Sequence, residues 1–474
     1  MSELDTAQRV WQTRLTALQG DQERVAKQHE AGKLTARERV MKLFDAGSFV
    51  ESDALQADAG AVSGCGTMDG RLAYCFAQDY TNHGGAMCVA QAQKLLKLLR
   101  KAQLTGAPVL LLLDSAGAYL QEGALALSAY SRVYSQLARL SGVCPILTAV
   151  LGPCRGSAAV FAQLSDMVIL ADGISELELH SALVTGEKLT VKAIDAQGAA
   201  HIVVRTEEEA LAQLAALVNL LPASNTEDAP LTEGDDLNRV LSGAEEMAAG
   251  TLACEILDEH TALQLTAEYG KRLQTWLGKL GGRTVGLIIS DPTEEEGRLD
   301  AASCEKAARF VRFCDSYHLP VVTLIDSNGL TVGKLSEQAW LMRALGQLTF
   351  AYAEATSPKA AVITGKAVSA AFVALGGSRM ADIAYAWPSA TVSPLTADAA
   401  VATLFDEQLN AGESRENLKK AYEASVDAVY AARQGIVDDV IDPAETRKYL
   451  ITALEIMSSK HEVALPKKHS NMPL

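Results

Sequence analysis

The stretch that decides the fold occurs twice, as PVLLLLDSAG at residues 108–117 and as PVVTLIDSNG at residues 320–329. Each copy is a mostly apolar run that ends in Asp-Ser, with a glycine two residues later. Apolar runs that do not alternate with polar residues are typical of parallel strands covered on both faces. The two copies therefore predict two buried parallel strands that end in the same polar turn.

The flanking landmarks repeat at the same spacing. A Gly-Arg turn begins 45 residues before each aspartate, at 69–71 (DGR) and at 281–283 (GGR). A turn rich in small residues begins at Gly152, 38 residues after the first aspartate, and at Gly365, 39 residues after the second. So little drift indicates an internal duplication in which each half carries a related site.

Strand-like and helix-like segments alternate in both halves, which favours an α/β fold with parallel sheets. Ahead of them, two helices are predicted over 8–29 and 35–44, the second opened by the capping-box spacing of Thr35 and Glu38. The predicted organisation is a helical arm at residues 1–60, a first domain at 61–222, a polar linker at 223–237 and a second domain at 238–474.

The composition is that of a soluble globular protein, with 49% hydrophobic and 21% charged residues in 474. A net charge of −16 opposes binding to nucleic acid, which is excluded as a general partner. We find no secretory signal, and the longest apolar runs are far shorter than a bilayer span. These features predict a cytoplasmic protein.

The cysteines and histidines are scattered. The eight cysteines include no C-x-x-C pair, and the eight histidines form no cluster in the sequence. This spacing fits neither a disulfide framework nor a zinc site, so no metal site is predicted and most cysteines are expected in the core.

Two strand-to-helix turns are the main candidates for chemistry: Gly156-Ser157 and its predicted counterpart Ala370-Ala371. At the start of a helix, backbone N–H groups lack intrahelical partners and point in one direction. Such groups stabilise a developing oxyanion without any side chain taking part. The alternative is a tight turn that uses small residues for close packing.

Other catalytic motifs are absent from the sequence. There is no G-x-S-x-G turn and no Walker A motif, and the glycines near Cys65 miss the dinucleotide-binding spacing by one residue. His83 is a weaker candidate for catalysis. Lys94, Lys97 and Arg100 are weaker candidates for phosphate binding, with a solvated surface as the alternative.

Several longer strings are specific enough to identify a relationship. They are KLTARER at 33–39, QDYT at 78–81, KAARFVRFCD at 306–315, YAEAT at 352–356 and YAWP at 385–388. With these strings the chain resembles the carboxyltransferase subunit of biotin-dependent acyl-CoA carboxylases and decarboxylases, of the propionyl-CoA carboxylase beta and methylmalonyl-CoA decarboxylase alpha type. The resemblance covers roughly nine tenths of the chain.

The resemblance implies two tandem crotonase-like (ClpP/crotonase) domains, the first holding acyl-CoA and the second holding biotin. It implies that amides at Gly156-Ser157 polarise the thioester and amides at Ala370-Ala371 polarise the ureido oxygen of biotin. The further residues that it implies are Gly84, Gly85, Gly117 and Val373 for substrate, and Ser369, Ala339 and Trp340 for biotin.

The sequence departs from the family mainly on the biotin side. A Val-Pro-Gly turn is Ser327-Asn328-Gly329, a Gly-Gly-Ala turn is Ser369-Ala370-Ala371, and a Gly-Gly pair is Ala339-Trp340, where the tryptophan would narrow a biotin channel. On the acyl side, the family's Gly-Gly-Ala-Arg is 116–119 (AGAY), without the arginine, and a glycine of the first turn is Ser157.

The resemblance implies carboxyl transfer between biotin on a separate carrier protein and a short-chain acyl-CoA, by a homo-oligomer (dimer or hexamer). Biotin carboxylase or a membrane decarboxylase subunit would be the further partner. Two alternatives stay open: the alpha subunit of a sodium-pumping decarboxylase, and a non-catalytic scaffold with a degenerate biotin site.

Overall fold

The computed structural model describes residues 3–333, 340–462 and 466–472. The chain forms two compact units, Met1–Asp228 and Ala229–Leu474. Each unit is built around its own eight-stranded sheet. In the described ranges, no helix is both long enough and apolar enough to cross a membrane.

The first unit contains nine α-helices and eight strands among its described residues. The helices are α1 (Glu3–Gln19), α2 (Gln22–Glu30), α3 (Ala36–Leu43), α4 (Val89–Thr105), α5 (Ala124–Leu140), α6 (Ser157–Gln163), α7 (Ala182–Thr185), α8 (Val191–Asp195) and α9 (Glu207–Leu220). The strands are β1 (Val50–Glu51), β2 (Ala61–Met68), β3 (Arg71–Gln78), β4 (Val109–Ser115), β5 (Ile146–Arg155), β6 (Met167–Ala171), β7 (Glu176–Glu178) and β8 (Ile202–Val204).

The first sheet has the order β1-β2-β3-β4-β5-β6-β8, with the short β7 paired to the end of β5. The first three strands are antiparallel, and every pair from β3 onward is parallel. Residues 109–115 of β4 are all buried, because helices cover the sheet as the apolar run predicts.

The second unit continues with helices α10 (Ala249–Ile256), α11 (Ala301–Ser316), α12 (Leu341–Glu354), α13 (Ser369–Ala374), α14 (Ala397–Leu404), α15 (Asp406–Asn410), α16 (Arg415–Ser425), α17 (Ala428–Arg433) and α18 (Thr446–Ile456). Its strands are β9 (Leu263–Leu265), β10 (Leu273–Leu280), β11 (Arg283–Ser290), β12 (Val321–Ser327), β13 (Lys359–Val368), β14 (Ile383–Ala386), β15 (Thr391–Ser393) and β16 (Asp439–Val440). The order β9-β10-β11-β12-β13-β14-β16, with β15 on β13, repeats the first sheet strand for strand.

The duplication extends to small details. Asp45 follows α3 and accepts the amides of the β2–β3 turn, and Asp258 follows α10 and accepts those of the β10–β11 turn. The pairing register also shifts at the end of both β4 and β12, at Asp114 and Asp326. The predicted α/β class and the internal duplication are confirmed.

The N-terminal arm differs in one respect from the prediction. It contains three helices rather than two, because Gly20 adopts a left-handed backbone (φ +63°) and Asp21 caps a new helix. The predicted capping box of Thr35 and Glu38 is present at the start of α3.

Candidate functional site

Three loops of the first unit meet at one edge of the sheet, because the parallel strands β3, β4 and β5 end there. The Ala116 amide donates to the Gly84 carbonyl oxygen at 2.8 Å, and the Met87 amide donates to the Gly117 carbonyl oxygen at 2.8 Å. The loop after β5 is adjacent, since a Cβ on Gly117 would lie 3.3 Å from the Arg155 carbonyl oxygen. The structure thus brings Gly84, Gly117 and the turn at Gly156 together.

At two positions of these loops, Gly85 and Gly156, the backbone conformation requires glycine. Gly85 has φ +62°, and a Cβ there would lie 2.1 Å from the Asp114 carbonyl oxygen. Gly156 has φ +59° and caps α6. Larger residues are disfavoured in this left-handed region, and at Gly85 the close approach excludes them outright.

In the first turn, one amide of the predicted pair is already hydrogen-bonded. The Gly156 N–H donates to the Glu178 carbonyl oxygen on β7 at 2.9 Å, so it is already bonded. Within α6, the first amides that donate to the Gly156 carbonyl oxygen are those of Ala159 and Val160. Among the described residues, no hydrogen bond uses the N–H groups of Ser157 and Ala158, which are therefore the available pair.

Tyr134 holds this turn, although no sequence motif indicates this role. Its hydroxyl on α5 donates to the Ser157 carbonyl oxygen at 2.5 Å. The Ser157 carbonyl and the Ala158 N–H belong to the same planar peptide group, so fixing one orients the other. Partial burial raises the pKa of Tyr134, which keeps the donating proton in place at neutral pH.

The Asp-Ser pair of the first unit is structural. Asp114 is buried and pairs with Lys33 at 2.7 Å and with Arg39 at 3.0 Å. Ser115 is also buried, and its Oγ accepts the Gly117 amide at 3.1 Å. Neither side chain is placed as a nucleophile.

The weaker basic candidates differ in how the structure places them. Lys94 is buried and donates to the Ala61 carbonyl oxygen at 2.7 Å, and Lys97 pairs with Asp53 at 2.6 Å. Burial lowers the pKa of Lys94, although nearby carboxylates act against this shift. Lys94 is thus engaged inside the unit, whereas Lys97 and Arg100 are exposed, so phosphate binding by these two stays a prediction.

A basic cavity of about 410 Å³ lies beside the same edge of the first sheet. Arg24, Lys27 and Lys33 line it together with the acidic Glu176, and the three cations pair with Asp21, Glu23 and Asp114 respectively. The Lys33 ammonium lies 4.7 Å from the centre of the Tyr80 ring. This cavity was not predicted from the sequence, because acidic residues alternate with basic ones along α2 and the segment shows no run of positive charge.

The second unit repeats the arrangement with different side chains. A cavity of about 380 Å³ opens at the ends of β12 and β13, lined by Arg298, Asn328, Gly329 and Ser369 and by apolar residues. Gly329 has φ +98°, as Gly117 has φ +114°. Ser369, with φ +61°, occupies the place of Gly156, so the counterpart of Ser157 is Ala370. The predicted pairing of Gly156 with Ala370 is thus displaced by one residue.

The other residues predicted for the second site are placed as follows. Ala370 is exposed and Ala371 buried at the start of α13, and Val373 is 45% exposed on the same helix. Trp340 is exposed at the start of α12 with the Arg343 guanidinium 4.5 Å from its ring centre, while Leu341 beside it forms the cavity wall. Ala339 lies outside the described residues.

The carboxyl transferase domain family matches residues 27–472. The chain belongs to the carboxyl transferase family. The propionyl-CoA carboxylase carboxyltransferase subunit of Haloferax mediterranei is 34% identical, with 96% of each chain covered. The methylmalonyl-CoA decarboxylase alpha subunit of Veillonella parvula is also 34% identical, again with 96% of each covered.

A crystal structure of transcarboxylase 12S, a hexamer assembly with methylmalonyl-coenzyme A and methylmalonic acid bound, is similar over its whole length. It has a TM-score of 0.94 and 31% identity, with 100% of this chain and 99% of that chain covered. The predicted carboxyltransferase relationship and the tandem crotonase-like fold of this family member are therefore confirmed.

Proposed function

We propose that this carboxyl transferase moves a carboxyl group between biotin on a separate carrier protein and a short-chain acyl-CoA. One observation carries the proposal: the Ser157 and Ala158 amides lie at a sheet edge that also borders a basic cavity. An acyl-CoA has a thioester oxygen that the amides can bind and phosphates that the basic cavity can bind.

The first unit is the proposed acyl-CoA domain. Arg24 and Lys27, whose side chains are exposed, would bind the phosphates of the nucleotide, since guanidinium and ammonium groups form charge-assisted hydrogen bonds with phosphate. Gly84, Gly85 and Gly117 leave room for the pantetheine end to approach the turn.

The chemistry proposed for the turn is stabilisation of an enolate. Carboxybiotin would release carbon dioxide by cleavage of its N–C bond, and the freed ring nitrogen would take the α-proton of the thioester. The α-carbon of the resulting enolate would then form a bond to the carbon dioxide. The Ser157 and Ala158 amides hold the negative charge that develops on the thioester oxygen, and Tyr134 keeps them aligned. The reverse sequence removes a carboxyl group from the acyl-CoA.

The second unit is the proposed biotin domain. Its cavity is lined by both apolar and polar residues, which fits a ring that carries a urea and a hydrocarbon tail. The amides at Ala370 and Ala371 are the proposed donors to the ureido oxygen, with Ser369 beside them. The carrier is the proposed partner, together with either biotin carboxylase or a membrane decarboxylase subunit, in the cytoplasm.

We also infer a homo-oligomer. A second cavity of the first unit, of about 540 Å³, is bordered by the exposed side chains of Val160, Leu179 and Leu189, and Val184 is exposed nearby along the chain. An exposed apolar surface of this kind is typical of a contact between proteins. The similar transcarboxylase 12S forms a hexamer, which supports a related assembly here.

The deciding experiment is turnover with malonyl-CoA and methylmalonyl-CoA in the presence of a purified biotinylated carrier or free biotin. Carboxyl transfer to the carrier, followed with a labelled carboxyl group, is the expected result. Acyl-CoA binding without any transfer would contradict the proposal and favour the scaffold alternative. Transfer in both directions would leave carboxylase and decarboxylase to be separated by the partner subunits.

A further inference from the structure

The two units differ consistently where the loops meet the sheet edge. The units align through equivalent bridges, Met87 with Ala118 in the first and Leu299 with Leu330 in the second. Four positions that are small in the first unit carry polar side chains in the second. These pairs are Gly84 and Glu296, Ala86 and Arg298, Ala116 and Asn328, and Gly156 and Ser369.

Two of these polar residues have backbone conformations that side chains disfavour. Glu296 has φ +57° and Ser369 has φ +61°, where the first unit has glycine at φ +64° and +59°. A non-glycine residue in the left-handed region is strained, and such strain concentrates at functional sites. The strained position of Glu296 therefore indicates that its side-chain contacts have a function.

Glu296 connects two residues that line the second cavity. Its carboxylate accepts hydrogen bonds from the Asn328 side-chain amide and from the Arg298 guanidinium, the latter at 3.1 Å. The Asn328 backbone amide also donates to the Glu296 carbonyl oxygen at 3.1 Å. These hydrogen bonds lower the pKa of Glu296, so its carboxylate stays ionised as a fixed support.

Arg298 and Asn328 retain hydrogen-bonding capacity toward the cavity. Arg298 is 27% exposed, and the bonds found among the described residues use one of its five N–H donors. Asn328 is 9% exposed, and its side-chain oxygen is an acceptor beside those donors. A planar guanidinium matches a carboxylate in geometry as well as charge, and Lys366 adds positive charge close by.

We propose that Arg298 and Asn328, held by Glu296, form a carboxylate-binding site in the cavity of the second unit. The ligand is the carboxyl group on carboxylated biotin, an assignment that rests on the proposed function. Arg298 binds the carboxylate, and Asn328 accepts a hydrogen bond from the remaining ureido N–H. The site therefore distinguishes carboxylated from uncarboxylated carrier.

The test compares the affinity of the full chain for the two forms of a purified biotinylated carrier. The KM of the carboxylated carrier and the inhibition constant of the uncarboxylated carrier are measured for wild type, Arg298→Met and Arg298→Lys. Wild type should prefer the carboxylated form by about 10- to 100-fold, the range for a charged hydrogen bond. Arg298→Met should bring the ratio close to one with the inhibition constant unchanged, and Arg298→Lys should restore part of it.

Arg312→Met is the matched control, because Arg312 lies on α11 and pairs with Glu354 on the surface. An unchanged ratio in Arg298→Met, or wild type with no preference, would overturn the proposal. Arg298→Gln provides a second variant if Arg298→Met does not fold, and it should weaken the preference as well because it removes the same positive charge.

A second experiment tests carboxylate binding alone. It measures the thermal shift of the same proteins with sodium malonate and sodium bicarbonate. Stabilisation of wild type that Arg298→Met loses would support the carboxylate site even if no carrier binds, in which case biotin is overturned as its source. No stabilisation and no preference between carriers would overturn the site itself. Carrier turnover without preference would overturn the site and leave the proposed function standing.

Discussion

The Tyr134 hydroxyl lies 2.5 Å from the Ser157 carbonyl oxygen, so a side chain on α5 fixes the peptide that carries the Ala158 N–H. Tyr134→Phe removes this hydrogen bond and keeps the ring. We expect kcat to fall on the order of tenfold, since a misaligned donor stabilises the enolate less well. The KM for acyl-CoA should change little. Steady-state kinetics measure both quantities.

The control for this variant is Tyr430→Phe, because Tyr430 is 43% exposed in the second unit. It should behave as wild type. A normal kcat in Tyr134→Phe would contradict the positioning role, as would a loss of kcat that follows a loss of folded protein in circular dichroism.

Ser157 separates backbone from side-chain chemistry. Ser157→Ala keeps the N–H and should retain turnover within about tenfold, whereas Ser157→Pro deletes the donor and should reduce kcat by on the order of 10²-fold or more. Proline is tolerated in the first turn of a helix, so the variant is expected to fold. A folded, CoA-binding Ser157→Ala protein without activity would show that the hydroxyl is required and the amide assignment is wrong.

The basic cavity predicts that the nucleotide part of acyl-CoA contributes to substrate binding. Arg24→Ala with Lys27→Ala should raise the KM for an acyl-CoA by about tenfold, with a smaller effect at high salt, because both groups are exposed and screened. The same variant should match wild type on an acyl-pantetheine, which has no nucleotide. Lys42→Ala, which removes a surface pair with Glu208, is the control. Equal KM increases for both substrates would contradict phosphate binding at this cavity.

The sequence contained enough to predict the fold and its internal duplication. The spacing around Asp114 and Asp326 identifies equivalent strands, and Thr35 with Glu38 identifies a helix start, because these are local or periodic signals. The hydrogen bond of the Gly156 N–H could not be predicted, because its acceptor, the Glu178 carbonyl oxygen, lies on a separate three-residue strand.

The remaining site features depend on contacts between distant segments. Tyr134 acts on Ser157 only because α5 packs beside α6, and no pattern within either helix predicts that hydrogen bond. Lys33 and Arg39 lie in a string that indicates the family, yet their shared partner Asp114 is more than 70 positions away. Such pairings depend on tertiary packing, which periodicity and spacing do not describe.

The two equivalent aspartates, Asp114 and Asp326, differ in their partners, and this difference can be tested with matched variants. Asp114 is fully buried between Lys33 and Arg39, so Asp114→Asn leaves buried positive charge uncompensated and should destabilise the protein by about 3–5 kcal/mol. Asp326 accepts the Lys366 amide at 2.8 Å, which an asparagine oxygen can also accept. Asp326→Asn should therefore be neutral or stabilising at neutral pH. Denaturant unfolding of both variants measures the contrast.

The pH dependence of Asp326→Asn follows from burial, which raises the pKa of the Asp326 carboxyl in the folded state. A raised folded-state pKa favours the protonated form, so this group contributes stability below its unfolded pKa of about 4 and loses it as pH rises through the folded value. Any gain from Asp326→Asn should thus be largest at neutral pH and shrink as the pH falls toward about 4. A gain that grows on acidification, or equal destabilisation by the two asparagine variants, would show that Asp326 is held by a positive charge as Asp114 is.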